Sequence, residues 1–81
     1  MDITLYGRLA DFGGRTIAAD LPPEGCTVAD LRDLLARLAP ALGAELARPG
    51  VRAVSGEAFL ADDHRIAAAD EVEFWPPVSG G

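Results

Sequence analysis

Thr27-Val28-Ala29-Asp30-Leu31-Arg32-Asp33-Leu34-Leu35-Ala36-Arg37-Leu38 reads as an amphipathic helix complete with its start signal. Thr27 offers a side-chain oxygen to the unpaired N–H groups of a first turn, and Asp30 stands where a capping box takes its acid. Asp30 and Asp33 also bring negative charge to the positive end of the helix dipole. Val28, Leu31, Leu34, Leu35 and Leu38 recur at helical spacing and form one apolar stripe, read as core along its whole length. Asp33 and Arg37 lie four apart on the solvent side, in the favourable acid-first order. Pro40 bars continuation, so the helix is expected to stop near Leu38 or Ala39. A helix with one apolar face needs a second layer to receive it.

The flanking segments supply that layer. Before the helix, Asp2-Ile3-Thr4-Leu5-Tyr6 alternates with period two, as a half-buried strand does. Gly13-Gly14 marks a turn, and Ile17, Ala19 and Leu21 share one side of a second strand, which makes a hairpin. Pro22-Pro23-Glu24-Gly25 ends it. After the helix, a short helical turn is expected over 41–46, ended by Arg48-Pro49-Gly50. Val51 to Val54 is a strand candidate, Ser55-Gly56 its turn, and Phe59-Leu60 a brief strand, followed by the polar loop Asp62-Asp63-His64-Arg65. Glu71-Val72-Glu73-Phe74-Trp75 alternates cleanly, with Val72 and Phe74 facing one way and Glu73 and Trp75 the other. The order strand, strand, helix, strands predicts a two-layer α+β domain. A main helix on one face of a mixed sheet of four to five strands is the ubiquitin-like β-grasp arrangement. The domain is expected over residues 1–75, with 76–81 as a flexible carboxyl-terminal tail.

Bulk properties narrow the function classes. The chain has 81 residues, enough for one domain, and a chain this short buries only roughly 60% of its unfolded surface. That leaves little room for a deep private active site. A net charge of −6 argues against nucleic acid, whose phosphates need clustered cations, and suits docking on basic protein surfaces. All 7 basic residues are Arg, so no lysine here can accept a modification. The single cysteine, Cys26, excludes an internal disulfide and favours a reducing compartment. No apolar run approaches the ~20 residues of a membrane span, and no secretory signal opens the chain. The expectation is a cytoplasmic protein without nucleic-acid or membrane partners.

The chemistry is expected at the tail. Pro76-Pro77-Val78-Ser79-Gly80-Gly81 leaves the last strand through two prolines, which stiffen the exit and withhold backbone donors. Glycines at the end can enter a channel too narrow for a Cβ, at an entropic cost that a merely structural end has no reason to incur. The reactive group is the α-carboxylate of Gly81. Adenylation would turn it into an acyl donor, and a sulfur nucleophile displacing AMP would leave a thiocarboxylate. The competing view is a frayed chain end, the common fate of terminal residues.

Glu71-Val72-Glu73-Phe74-Trp75-Pro76-Pro77-Val78-Ser79-Gly80-Gly81 resembles the C-terminal signature of MoaD, the small sulfur-carrying subunit of molybdopterin synthase. The resemblance extends to the chain length, the opening strand and the Thr-Val-x-x-Leu helix start. The Pro-Pro-Val form points to MoaD rather than to its thiazole-forming relative ThiS. The resemblance implies a β-grasp fold and a protein that is not catalytic alone. It implies a MoeB-like partner that adenylates Gly81 with ATP, a sulfur donor protein, and a MoaE-like large subunit that receives the tail and holds the pterin precursor. By this likeness Gly81 is the reacting residue, Gly80 grants access, and Pro76, Pro77, Val78 and Ser79 guide insertion. Phe74 and Trp75 contribute to partner docking. No permanent cofactor or metal is implied. Two departures concern loops: Ala68-Ala69-Asp70 replaces the family's frequent Asp-Gly-Asp turn, and Ser55-Gly56 stands where the family often has Asn.

Other residues are weaker candidates. Cys26 precedes a helix cap that could lower its pKa, yet a partly buried passive thiol is the default. His64 with Asp62 and Asp63 is a thin set for a metal, and a solvated turn is the simpler reading. Trp75 is either covered by another layer or part of an exposed docking patch, the patch being favoured. Alternatives to the pterin pathway are a sulfur carrier for thiazole, cysteine or a thiolated product, a ubiquitin-like protein modifier, and a plain binding module.

Overall fold

The computed structural model describes residues 1–77. Strand β1 (Asp2–Leu5) leads through a 3-10 turn (Gly7–Leu9) and a single helical turn α1 (Ala10–Gly13) into β2 (Thr16–Ala18). The short β3 (Cys26–Thr27) runs directly into helix α2 (Val28–Leu38), and α3 (Pro40–Leu46) follows. Strands β4 (Arg52–Ser55), β5 (Ala58–Leu60), β6 (Arg65–Ile66) and β7 (Val72–Trp75) complete the chain. Five strands form the main mixed sheet in the order β2-β1-β7-β4-β5, and β3 pairs with β6 in a separate two-stranded sheet. The central neighbours β1 and β7 are parallel, while β2, β4 and β5 join antiparallel. This is the ubiquitin-like β-grasp expected from the sequence.

The helix start is built as the sequence indicates. Asp30 N–H donates to Thr27 Oγ1 at 3.1 Å, and Thr27 N–H donates to Asp30 Oδ2 at 3.2 Å. Two further first-turn donors are met from a distant loop, Val28 N–H by the carbonyl of His64 and Ala29 N–H by that of Asp62. The four orphan N–H groups at this helix start, those of residues 27–30, are therefore all satisfied. The loop read as a solvated turn or thin metal set has a structural task, and β6 follows from it.

Ile3, Leu5, Val72, Phe74 and Ala53 face the helices and are almost fully buried with Val28, Leu31, Leu35, Leu42 and Leu46. Alternation thus places the core as predicted, with two corrections on the helix stripe. Leu34 is only half-buried, and Leu38 is 54% exposed. Leu38 closes α2, where the chain turns at Ala39 into α3, and no described element lies over it. The link between β1 and β2 also differs from a simple turn: the 3-10 turn and α1 fill it, and Leu9 from that segment enters the core. Ala67 and Asp70 close the turn before β7 through Ala67 N–H to Asp70 Oδ2 (2.8 Å) and Asp70 N–H to the Ala67 carbonyl (2.9 Å), which replaces the missing glycine.

Arg32 ties the layers together. Its guanidinium donates to the Leu46 and Val51 carbonyls at 2.6 and 3.2 Å and to Asp62 Oδ1 at 3.1 Å. It also lies 5.1 Å from the centre of the Phe74 ring. One planar fork thereby joins α2 to the end of α3, the start of β4 and the 61–64 loop.

Candidate functional site

The last strand positions the site. Because side chains alternate along β7, Phe74 enters the core and Trp75 emerges on the face of the sheet away from the helices. Phe74 is fully buried. The expectation that it docks a partner beside Trp75 is therefore corrected: its ring fills the core, packed under Arg32, and has no surface to offer. Trp75 is 43% exposed, which places it on the open face as a surface aromatic.

Trp75 is held there by two neighbours. Its ring stacks on Tyr6 with centroids 4.1 Å apart and planes 13° from parallel. Its indole N–H donates to Glu73 Oε1 at 3.1 Å, and the Tyr6 hydroxyl donates to Glu73 Oε2 at 3.3 Å. One carboxylate thus binds both aromatic rims. The Glu73 charge, chiefly, with some desolvation, raises the Tyr6 pKa above its ordinary value and keeps the phenol protonated.

Register brings further groups to the same face. Arg52 lies opposite Trp75, Val54 opposite Glu73, and Phe59 opposite Val54 across the β4–β5 hairpin. Phe59 is 71% exposed, and the Arg52 guanidinium sits 5.0 Å from the centre of its ring. Arg52, Val54, Phe59, Glu73, Trp75 and Pro76 line a groove of about 340 Å³. Sequence reading missed Phe59, Arg52 and Tyr6 as members of this surface. The alternation that marks Trp75 also marks Phe59, but only the strand order β7-β4-β5 puts the two rings on one patch.

The groove ends at the chain's exit from the fold. Pro76 is half-buried and lies against Gly7, while Pro77 lies against Gly50. Arg8 and Arg48 flank these prolines and both pair with Glu45, at 3.0 and 3.5 Å. In an acidic chain, Arg8, Arg48 and Arg52 therefore concentrate around the exit. Val78, Ser79, Gly80 and Gly81, the rest of the predicted tail, lie outside the described residues.

The weaker candidates separate from this region. Cys26 is buried in β3; burial, then the charge of Asp30, raises its pKa, against a smaller opposing pull from Arg65. A protonated, covered thiol is a poor nucleophile. Asp62 is engaged by Arg32, and the carbonyls of Asp62 and His64 receive the helix N–H groups. Among the described residues no three His, Cys, Asp or Glu side chains converge as a metal site, and no helix is long and apolar enough to cross a membrane.

Fold and exit together define a β-grasp domain whose last strand passes an aromatic groove and two packed prolines on its way to the final residues. The chain belongs to the ThiS family, whose model matches residues 3–81. Two crystal structures of small archaeal modifier protein 1 from Haloferax volcanii are similar. The first superposes with a TM-score of 0.84 at 29% identity, covering 99% of this chain and 97% of that one. The second gives 0.79 at 28% identity, covering 95% of each. No curated protein matches the chain.

Proposed function

We propose that this protein is a sulfur carrier whose Gly81 carboxylate is adenylated and then converted to a thiocarboxylate. The observation that carries this reading is the ThiS-family match extending through Gly81. ATP supplies the adenylate, pyrophosphate leaves, and a sulfur nucleophile then displaces AMP from the acyl carbon. The body offers a docking face, the Trp75–Phe59 groove, and the exit begins at its rim, so one encounter can seat the domain and deliver the tail. Exposed aromatics with an arginine are the residue types that dominate binding energy at protein interfaces.

The proposed destination is molybdopterin, with this chain as the small subunit of its synthase. The support is the form Pro76-Pro77-Val78-Ser79-Gly80-Gly81 and the acidic-valine strand before it. The implied partners are a MoeB-like adenylating enzyme, a sulfur donor and a MoaE-like large subunit. Reconstitution tests this directly. With a MoaE-like subunit and the pterin precursor, the sulfur-loaded chain should yield dithiolene, whereas chains lacking Gly81 or extended beyond it should fold and yield none. An extended chain that resists trimming and still supports pterin sulfuration would end the reading.

A second reading has its own support. The similarity to small archaeal modifier protein 1, at 29% identity over 99% of the chain, favours attachment of Gly81 to other proteins. These 81 residues contain no lysine, so lysine-linked chains of the protein itself are excluded while single attachments are not. Covalent adducts on cellular proteins that do not form when Gly81 is deleted would favour the modifier; thiocarboxylate without adducts would favour the carrier.

A further inference from the structure

The backbone beyond Trp75 faces a problem that two glycines solve. Up to Phe74 the last strand is held on both sides by ladder hydrogen bonds, the final one on the β1 side running from Tyr6 N–H to the Phe74 carbonyl at 3.1 Å. Pro76 and Pro77 have no N–H, so neither can donate to a neighbouring strand. Extending the registers shows what flanks them. Leu5 faces Phe74 in the parallel pair, so Gly7 stands beside Pro76. Arg52 faces Trp75 in the antiparallel pair, so Gly50 stands beside Pro77.

Both glycines are in close contact with the rings. A Cβ on Gly7 would lie 2.8 Å from Pro76 Cγ, and one on Gly50 would lie 3.0 Å from Pro77 Cβ and 3.3 Å from its Cγ. Both also have positive φ, +57° at Gly7 and +87° at Gly50. The segments that carry them are cross-tied by Glu45, which pairs with Arg8 next to Gly7 and with Arg48 near Gly50.

We propose that Gly7 and Gly50 are positioning residues: one on each side, they form a seat for Pro76 and Pro77 that fixes the direction in which the chain leaves the sheet. Where hydrogen bonds stop, van der Waals contact between proline rings and bare backbone takes over. Each proline sets its own φ and holds the residue before it extended, so a seat that fixes the two rings fixes the backbone as far as Pro77. The functional consequence rests on the carrier reading. A tail launched in one direction reaches a partner's active site in a larger share of docked complexes, which acts on turnover and not on docking.

Gly7→Asn and Gly50→Asn isolate the contact, because asparagine tolerates positive φ while adding the Cβ. Two measurements decide the proposal. In NMR, nuclear Overhauser contacts from the Pro76 ring to the Gly7 α-protons and from the Pro77 ring to the Gly50 α-protons should be present in the unaltered protein. In calorimetric titration with a MoeB-like enzyme, Gly7→Asn, whose site lies outside the groove, should keep its Kd within about twofold, and in ATP–pyrophosphate exchange kcat should fall about tenfold for each variant, since small misplacements of a reacting group are costly. Thermal unfolding confirms that each variant is folded. Combining Gly7→Asn with Pro76→Ala should cost no more than Pro76→Ala alone, since the ring it strikes is gone. Missing proline-to-glycine contacts, unchanged kcat in the folded single variants, or a double variant as impaired as the product of the singles would each overturn the seat. If the unaltered protein is not adenylated at all, the carrier reading fails, and the NMR contacts still decide the seat by themselves.

Discussion

Arg32 sits on the polar side of a predicted helix, where a guanidinium would ordinarily be a solvated charge, yet it satisfies two backbone carbonyls and a carboxylate. Replacing it with Met would leave the Leu46 and Val51 carbonyls without that donor, and a loss of about 2–3 kcal/mol in urea unfolding is expected. Arg32→Lys should recover only part of it, since an ammonium cannot reproduce the fork. At the helix start, Thr27→Ala should cost about 1 kcal/mol. Asp30 reports the same cap through pH. Its hydrogen bonds with Thr27, the backbone one first, hold its carboxyl below the ordinary value. A group with a lowered folded pKa stabilises the fold above its unfolded value, about 3.9, and loses that contribution as pH falls through the folded one. Unfolding titrations should show stability declining below about pH 4, and Asp30→Asn should remove part of that decline. Cys26, buried and protonated, should react with an alkylating reagent far more slowly than after unfolding.

The last strand divides its two aromatics between separate tasks. Phe74→Ala empties a core position and should cost about 3–5 kcal/mol in denaturant unfolding. Trp75→Ala and Phe59→Ala remove surface rings, so the fold should persist while binding to the adenylating partner weakens, by at least tenfold for a ring central to the interface. A Trp75→Ala protein that binds its partner unchanged would remove the groove from the account. These elements also mark how far the sequence could be read. The helix, its cap, the alternation of β7 and the exit prolines are local patterns, set by neighbours two to four residues away, and they were legible. Leu38 was misread because its angle fits the stripe while its cover depends on where α3 turns. Phe74 was misassigned because alternation separates two faces without saying which is solvent. The Phe59–Trp75 patch, the Arg32 fork and the capping of α2 by the 61–64 loop join segments distant in sequence, and only the strand order brings them together.

At the scale of the molecule, an acidic β-grasp body carries an arginine-flanked exit beside an aromatic groove, and the family match runs through the final glycine. In the proposed division of labour the body docks and aims, and the Gly81 carboxylate carries the chemistry. Intact-mass spectrometry tests that claim most directly. After incubation with ATP, a MoeB-like adenylating enzyme and a sulfur source, a fraction of the chain should show one oxygen replaced by sulfur, and the chain lacking Gly81 should show none. Recovery of only the unchanged carboxylate under those conditions, with the enzyme active on its own substrate, would contradict the account.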